Sequence, residues 1–236
     1  MQAILYFFGH GFCHQIPQRS FEVAGLFFSA CARDTGIYLG LAFSVLVAFA
    51  FYARVKQKPA GLPPTRIIVV LVILALPMVL DALTSYTGLR ETTNVIRYVS
   101  GFLMGCAVGS LVVPFLFALR KDAREDIPVF SRPAGFALYL ALTLLLGAVF
   151  LFMLPFGGYV ALFLPVLAFV GILVTLNLLV LTLFKRLVPT GSAKRWMVGL
   201  AIAIVLALLE ITLMGLLRDV VFTVLLGGIS LEQILR

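Results

Sequence analysis

Long apolar runs, broken at short intervals by small clusters of cations, glycine and proline, set the pattern of this chain. About 20 apolar residues rising ~1.5 Å each span the hydrocarbon of a bilayer. Runs of this kind cover roughly residues 36–52, 67–86, 99–119, 134–156, 159–184 and 196–217. They are continuous rather than alternating, and lipid requires every backbone hydrogen bond to close within a segment, so helices are expected and not barrel strands. The pattern therefore predicts an all-α fold, a polytopic integral membrane protein of about six transmembrane helices in a single membrane domain. Residues 1–35 would precede the helices as a polar motif segment, 36–217 would hold the helices, and 218–236 would form a tail along the interface. The opening MQAILYFFGHGF is apolar, has no leading cation and is too short to span, which fits a retained interfacial or re-entrant segment rather than a secretory signal.

Composition agrees with the pattern. Hydrophobic residues make up 62% of the chain and charged ones 12%, where soluble domains carry about 25% charged residues. Mean hydropathy is +1.14. The net charge of +8 does not point to nucleic acid, because the cations sit between apolar runs, where they orient a membrane protein and meet anionic headgroups. Arg54, Lys56, Lys58 and Arg66 follow the first run; Arg120, Lys121, Arg124 and Arg132 follow the third; Lys185, Arg186, Lys194 and Arg195 follow the fifth. Arg19, Arg33, Arg90, Arg97, Arg218 and Arg236 are left for the opposite face. The bias predicts a multi-pass protein of the cell membrane with both termini outside the cytoplasm.

Glycines recur four apart as Gly36 and Gly40, and as Gly101, Gly105 and Gly109. This spacing lets helix backbones approach closely in lipid, so it predicts packing inside the bundle, with dimerisation as the other use. Cys106, among small residues of the third run, is expected to be a buried packing residue.

Two polar stretches fall on the expected outer face, FCHQIPQRSFEVAGLFFSACARDTG at 12–36 and DALTSYTGLRETTNVIRYVSG at 81–101. If 90–101 is helical, Arg90, Thr93, Asn94, Arg97 and Gly101 share one helix face. Asp81 and Glu210 lie inside apolar runs, where an ionised carboxylate needs protein, water or a cation beside it. Arg90 and Arg97 are within reach of Asp81, and Glu210 precedes Arg218 by two turns. Structural ion pairs and functional acids both fit this pattern.

Cys13, His14, Cys31 and Asp34 offer two sulfurs, a nitrogen and an oxygen, a donor set acceptable to a divalent metal such as zinc, while thiolates also suit copper(I). There is no C-x-x-C pair, and a Cys13–Cys31 disulfide is the competing reading on an oxidising face, with a catalytic thiol or plain packing as further alternatives. Cys13 to Arg19 also reads C-x5-R-S, the spacing of thiol phosphatases, but the loop has no glycine and Pro17 removes an amide donor. Arg19, Arg33, Arg90 and Arg97, with Thr84, Thr93 and Asn94, supply planar charged forks suited to gripping carboxylate or phosphate.

At CHQIPQRSF, CARDTGIYLG and GLRETTNVIR, over roughly residues 12–102, the chain resembles a family of prokaryotic membrane proteins, domain of unknown function 2085. The resemblance implies no established activity. It implies that Cys13, His14, Arg19, Cys31, Arg33, Asp34, Arg90, Asn94 and Arg97 form one motif set, and that Asp34 stands where members often carry a further cysteine. This replaces a thiolate by a carboxylate.

The reading that follows is an outer-face polar pocket in a membrane-embedded enzyme acting on a lipid or lipid-linked anionic substrate. Asp81, Arg90, Asn94 and Arg97 would be catalytic, Asp81 or Asp34 serving as base or metal ligand, and Arg19, Arg33, Thr84, Thr93 and Glu210 would bind substrate. Membrane lipids would be its partners. A small transporter for ions or solutes and a non-catalytic assembly subunit are the alternatives. No dinucleotide fingerprint, P-loop or HExxH occurs, and two histidines exclude a multi-histidine metal centre.

Overall fold

The computed structural model describes residues 1–183 and 193–225. Phe184, Lys185, Arg186 and residues 226–236, with Arg236, lie outside the described residues, as do the side chains of Lys194 and Arg195. In chain order the elements are α1 (Gln2–His10), β1 (Glu22–Val23), β2 (Leu26–Phe27), α2 (Ala32–Phe51), β3 (Lys58–Gly61), α3 (Thr65–Tyr86), α4 (Asn94–Ala118), β4 (Ala123–Pro128), α5 (Pro133–Met153), α6 (Gly158–Leu183) and α7 (Ala193–Leu225). Among the described residues six helices are long and apolar enough to cross a membrane: α2 to α5, α6 over Gly158–Thr182, and α7 over Trp196–Val221. These match the six runs. Residues 218–225 continue α7 as helix, because VVFTVL contains no helix breaker before Gly227 and Gly228.

The short strands are the one element type that the sequence pattern does not announce. β1 and β2 form a tight hairpin. β3 and β4 pair in parallel, with an irregularity between Pro59 and Gly61. Both ladders are too short for a period of two to stand out.

The chain divides into two compact units, residues 33–154 and residues 1–32 with 155–236. In the first, α2 and α4 meet along the glycines. A Cβ on Gly36 would run into the carbonyl of Tyr98, on Gly40 into that of Phe102, on Gly101 into that of Arg33, and on Gly105 into that of Ile37. The recurrent spacing thus serves close backbone packing within this unit. A core of Val47, Ala48, Leu71, Val113, Phe117, Phe130 and Tyr139 joins α2 to α5. Three buried hydroxyls are satisfied locally: Ser110 Oγ lies 3.0 Å from the Tyr139 hydroxyl and 2.7 Å from the Cys106 carbonyl, and Tyr98 donates to the Gly147 carbonyl at 3.1 Å, whereas the buried Thr35 hydroxyl has no hydrogen-bond partner among the described residues. Cys106 is fully buried beside them, as the sequence predicts.

At the end of this unit where α2 stops, Lys58 is buried, and its ammonium donates to the carbonyls of Tyr52 (2.6 Å), Ala53 (3.1 Å) and Val55 (2.6 Å). These carbonyls lie in the turn just past the end of α2, where the Tyr52 carbonyl also accepts the Val55 amide at 3.1 Å, and a cation there complements the negative end of the helix dipole. Lys58 is therefore a built-in cap for α2.

In the other unit α1 packs on α6 and α7. The Arg218 guanidinium donates to the carbonyls of His10 and, at 2.8 Å, of Cys13, while His10 Nε2 lies 2.7 Å from Asp219 Oδ1. Phe12 meets Phe169 edge to face at 4.9 Å. A Cβ on Gly11 would strike the backbone of Gly215 and Met214. The nine-residue α1 is thus held against α7 and is too short to span.

Candidate functional site

The densest polar grouping in residues 33–154 surrounds Asp81, in the last turns of α3. Asp81 Oδ2 accepts from Arg33 Nη2 at 2.5 Å, and Oδ1 accepts from Arg90 Nη2 at 2.6 Å and from the Thr92 hydroxyl at 2.7 Å. Asp81 is 3% exposed and Arg33 7%, whereas the Arg90 side chain is 47% exposed. Arg33 also donates to Ser85 Oγ at 3.3 Å and lies over the Tyr86 ring, 5.6 Å from its centroid. Its buried Nε has no hydrogen-bond partner.

Local sequence explains how these groups meet. α3 ends at Tyr86 with Thr87 as its C-cap, and Gly88 takes a left-handed φ of 73° that turns the chain back, so that the Arg90 amide reaches the Thr84 carbonyl at 3.2 Å. The segment 90–93 is not helical, contrary to the expected shared face from Arg90 to Gly101. α4 starts only at Asn94 because the Thr93 side chain accepts the Ile96 amide at 3.3 Å as its N-cap. Released from the helix, Arg90 and Thr92 can both fold onto Asp81. Arg33 arrives from the start of α2, which the glycine contacts hold against α4.

The arrangement carries more positive than negative charge, since two guanidinium groups share one carboxylate. Beside it lies a cavity of ≈ 580 Å³ between α3 and α4, whose lining combines the polar Asp81, Thr84, Arg90 and Ser100 with the apolar Pro77, Leu80, Val95, Ile96 and Val99. Leu80, Val95, Ile96 and Val99 are exposed, as suits residues that would meet lipid. Every oxygen of Asp81 is engaged, so this carboxylate positions arginines more readily than it removes protons.

Other expected residues take narrower parts. Arg97 Nη1 donates to Asn94 Oδ1 at 2.9 Å, one turn apart on α4. Thr84 Oγ donates to the Leu80 carbonyl at 2.7 Å and still borders the cavity. Asp34 is half-buried in the first turn of α2, three positions after Cys31, where the helix dipole favours an acid. Thr92, Ser85, Tyr86 and Ser100 belong to the grouping without having been singled out from sequence. The Thr92–Thr93 pair, two positions after Arg90, is the available signal.

Cys13, His14, Arg19, Cys31 and Glu210 belong to the other unit. Cys13 and Cys31 are not joined in a disulfide, and their sulfurs lie within 4.8 Å of one another. Cys13 Sγ accepts the Cys31 amide at 3.0 Å and the Gln15 amide at 3.5 Å. His14 is exposed. Pro17–Arg19 forms a 3-10 turn rather than an open anion cradle. Glu210 of α7 accepts from Asn177 Nδ2 of α6 at 3.2 Å, a neutral partner supplied across the helix pair.

Six helices long and apolar enough to cross a membrane define an integral multi-pass membrane protein, with a buried Arg33–Asp81 pair and the half-exposed Arg90 at one end of α3. The chain belongs to a family described as a predicted membrane protein, DUF2085, whose model matches residues 13–111. This stretch contains the whole Asp81 grouping and both Cys13 and Cys31; α5 to α7 lie beyond it. An uncharacterised protein of Methanocaldococcus jannaschii is 37% identical over 107 residues, which is 45% of this chain and 65% of the relative. This chain thus spans slightly less than two thirds of that relative's length. An uncharacterised protein of Methanothermobacter thermautotrophicus is 35% identical over 99 residues, 42% of this chain and 82% of the relative. No solved structure matches the chain.

Proposed function

We propose that this protein sits in the cell membrane and binds a lipid or lipid-linked anion in the cavity between α3 and α4, at the outer face, as the recognition site of a membrane-embedded enzyme. One observation carries the reading: a half-exposed Arg90, held by a fully engaged Asp81 within a grouping of surplus positive charge, borders a cavity whose remaining wall is apolar. A phosphate or carboxylate would sit against the free donors of Arg90, the Thr84 and Ser100 hydroxyls would border it, and an acyl or prenyl chain would lie along Leu80, Val95 and Val99. Asp81 and Arg33 act as positioning residues in this account. The test is binding of an anionic lipid, phosphatidylglycerol, against zwitterionic phosphatidylcholine in detergent, read by native mass spectrometry. Arg90→Ala should reduce the preference about tenfold, the equivalent of one charge-assisted hydrogen bond, with the fold intact by circular dichroism. An unchanged preference would remove the anion site.

The thiol pair supports a second, separate reading. Two thiol sulfurs within 4.8 Å, one of them accepting two backbone amides, make an environment in which thiolates would bind zinc or copper(I). Metal analysis of the purified protein should then find about one ion per chain, lost in both Cys13→Ser and Cys31→Ser. A metal-free protein, or a two-proton mass deficit from a disulfide, would exclude it.

A further inference from the structure

A second cavity, of ≈ 930 Å³, lies in the same unit at the opposite end of α3 from Asp81, where α2 stops and α5 begins. We infer that it is a binding site for one anionic phospholipid of the adjoining leaflet, with the phosphate on Lys56 and Arg132 and an acyl chain along Phe51, Val55 and Leu138. This site is independent of the proposed anion site at Asp81.

Charge is the first argument. Lys56 and Arg132 line the cavity and are exposed. A third cation, Arg66, donates to the Ser131 carbonyl at 2.9 Å and so stands at the same rim. Two further arginines of this end are differently occupied: Arg120 pairs with Asp122 and Arg124 with Asp126, each at 2.9 Å. Those contacts hold both carboxyls below the usual carboxylate range. Among the described residues no acid pairs with Lys56 or Arg132, so the rim presents uncompensated positive charge to an anion.

Shape is the second. Behind the rim the wall is apolar and aromatic, from Phe51, Tyr52, Val55, Ile127 and Phe130 to Leu138. Val55 is 42% exposed and Leu138 55%. The cavity falls within the ~300–1,000 Å³ usual for small-molecule sites, and it combines a cationic mouth with a greasy interior at the end of two membrane-spanning helices. A water-soluble anion would use the mouth and leave the interior unfilled; a phospholipid uses both.

Rigidity is the third. Phe130 is buried with a φ of 55°, a left-handed conformation that a phenylalanine rarely adopts, and its amide is held by the Tyr52 hydroxyl at 2.8 Å. The opposite wall is fixed by the Lys58 cap on the end of α2 and by the β3–β4 ladder. Such a backbone conformation persists only where the surrounding structure over-determines it, so the Phe130 wall of the cavity is held rigid.

The experiment uses the full chain in nanodiscs of phosphatidylcholine doped with phosphatidylglycerol, with lipid retained after extraction read by native mass spectrometry. Lys56→Gln/Arg132→Gln should lower retained phosphatidylglycerol about tenfold, while Arg54→Gln/Lys121→Gln, the same charge change outside the cavity, should leave it near wild type. Leu138→Trp, which fills the interior and keeps both cations, should also lose the lipid. Equal losses in the two charge variants would overturn the inference in favour of a diffuse surface effect. Retention by Leu138→Trp would overturn it in favour of a headgroup-only site. Arg90→Ala should leave this lipid in place, which separates the failure of one site from that of the other.

Discussion

Asp81→Ala is expected to destabilise the protein by about 3 to 5 kcal/mol, the cost of leaving a buried charge without its partner. Arg33 is 7% exposed and its terminal nitrogen reaches the carboxylate at 2.5 Å. Without Asp81, Ser85 and the Tyr86 ring are its remaining neutral partners, and neither supplies a negative charge. The Arg90 pair adds less, because 47% of that side chain is exposed and solvent screens the interaction. The check is an unfolding midpoint in detergent for the wild type, Asp81→Ala and the double variant Arg33→Met/Asp81→Leu. The double variant should recover most of the lost stability, since replacing both partners by apolar residues of similar size is often neutral. It should not recover the phosphatidylglycerol preference proposed for the Arg90 cavity, because Arg90 then has no carboxylate to hold it. A double variant that regains both stability and preference would reduce Asp81 to a packing residue. A loss below about 1 kcal/mol for Asp81→Ala would mean that Arg33 is solvated in the folded protein.

The contrast between Asp81 and Lys58 shows which parts of this molecule were legible in the sequence. Asp81 announces itself, because one carboxylate in a long apolar run breaks a pattern that lipid enforces. Lys58 does not. Its neighbours Arg54 and Lys56 are exposed cations of the same loop, and only the arrival of three carbonyls from the end of α2 separates Lys58 from them. The six spans were readable for the reason Asp81 was: hydrophobic length is set by the bilayer and needs no tertiary information. The partners of Asp81 were only half readable. Arg90 is close in sequence, but Arg33 lies 48 positions away, and its arrival depends on α2 settling onto α4. The Arg90 side of the grouping also required a helix start that the heptad-like spacing of Arg90, Asn94 and Arg97 obscured, since a Thr93 cap overrode that periodicity. The short ladders β1–β2 and β3–β4 carry no periodic signal and come from loops meeting in space.

The glycines give the sharpest test of the fold, because they predict opposite signs for the same substitution. A Cβ on Gly105 would run into the carbonyl of Ile37, with the backbone of Gly40 and Leu41 also close, whereas a Cβ on Gly171 of α6 would meet nothing within 4 Å. At Gly105 the obstacle is main chain on the neighbouring helix, which has no rotamer to change, so α2 and α4 must separate. Gly105→Ala should therefore cost about 1 to 3 kcal/mol, the usual penalty of overpacking, and Gly105→Leu more. Separation of these helices would also draw Arg33 away from Asp81, so Gly105→Leu should weaken anionic-lipid binding at the Arg90 cavity as well as stability. Gly171→Ala should instead stabilise by roughly 0.5 to 1 kcal/mol, the helix-propensity gain of alanine over glycine. Were the stripe a dimer contact, Gly105→Ala would change the oligomeric state on size-exclusion chromatography and leave the unfolding midpoint of the monomer unchanged. With the stripe facing α2, the midpoint should fall at every protein concentration and the elution volume should stay the same.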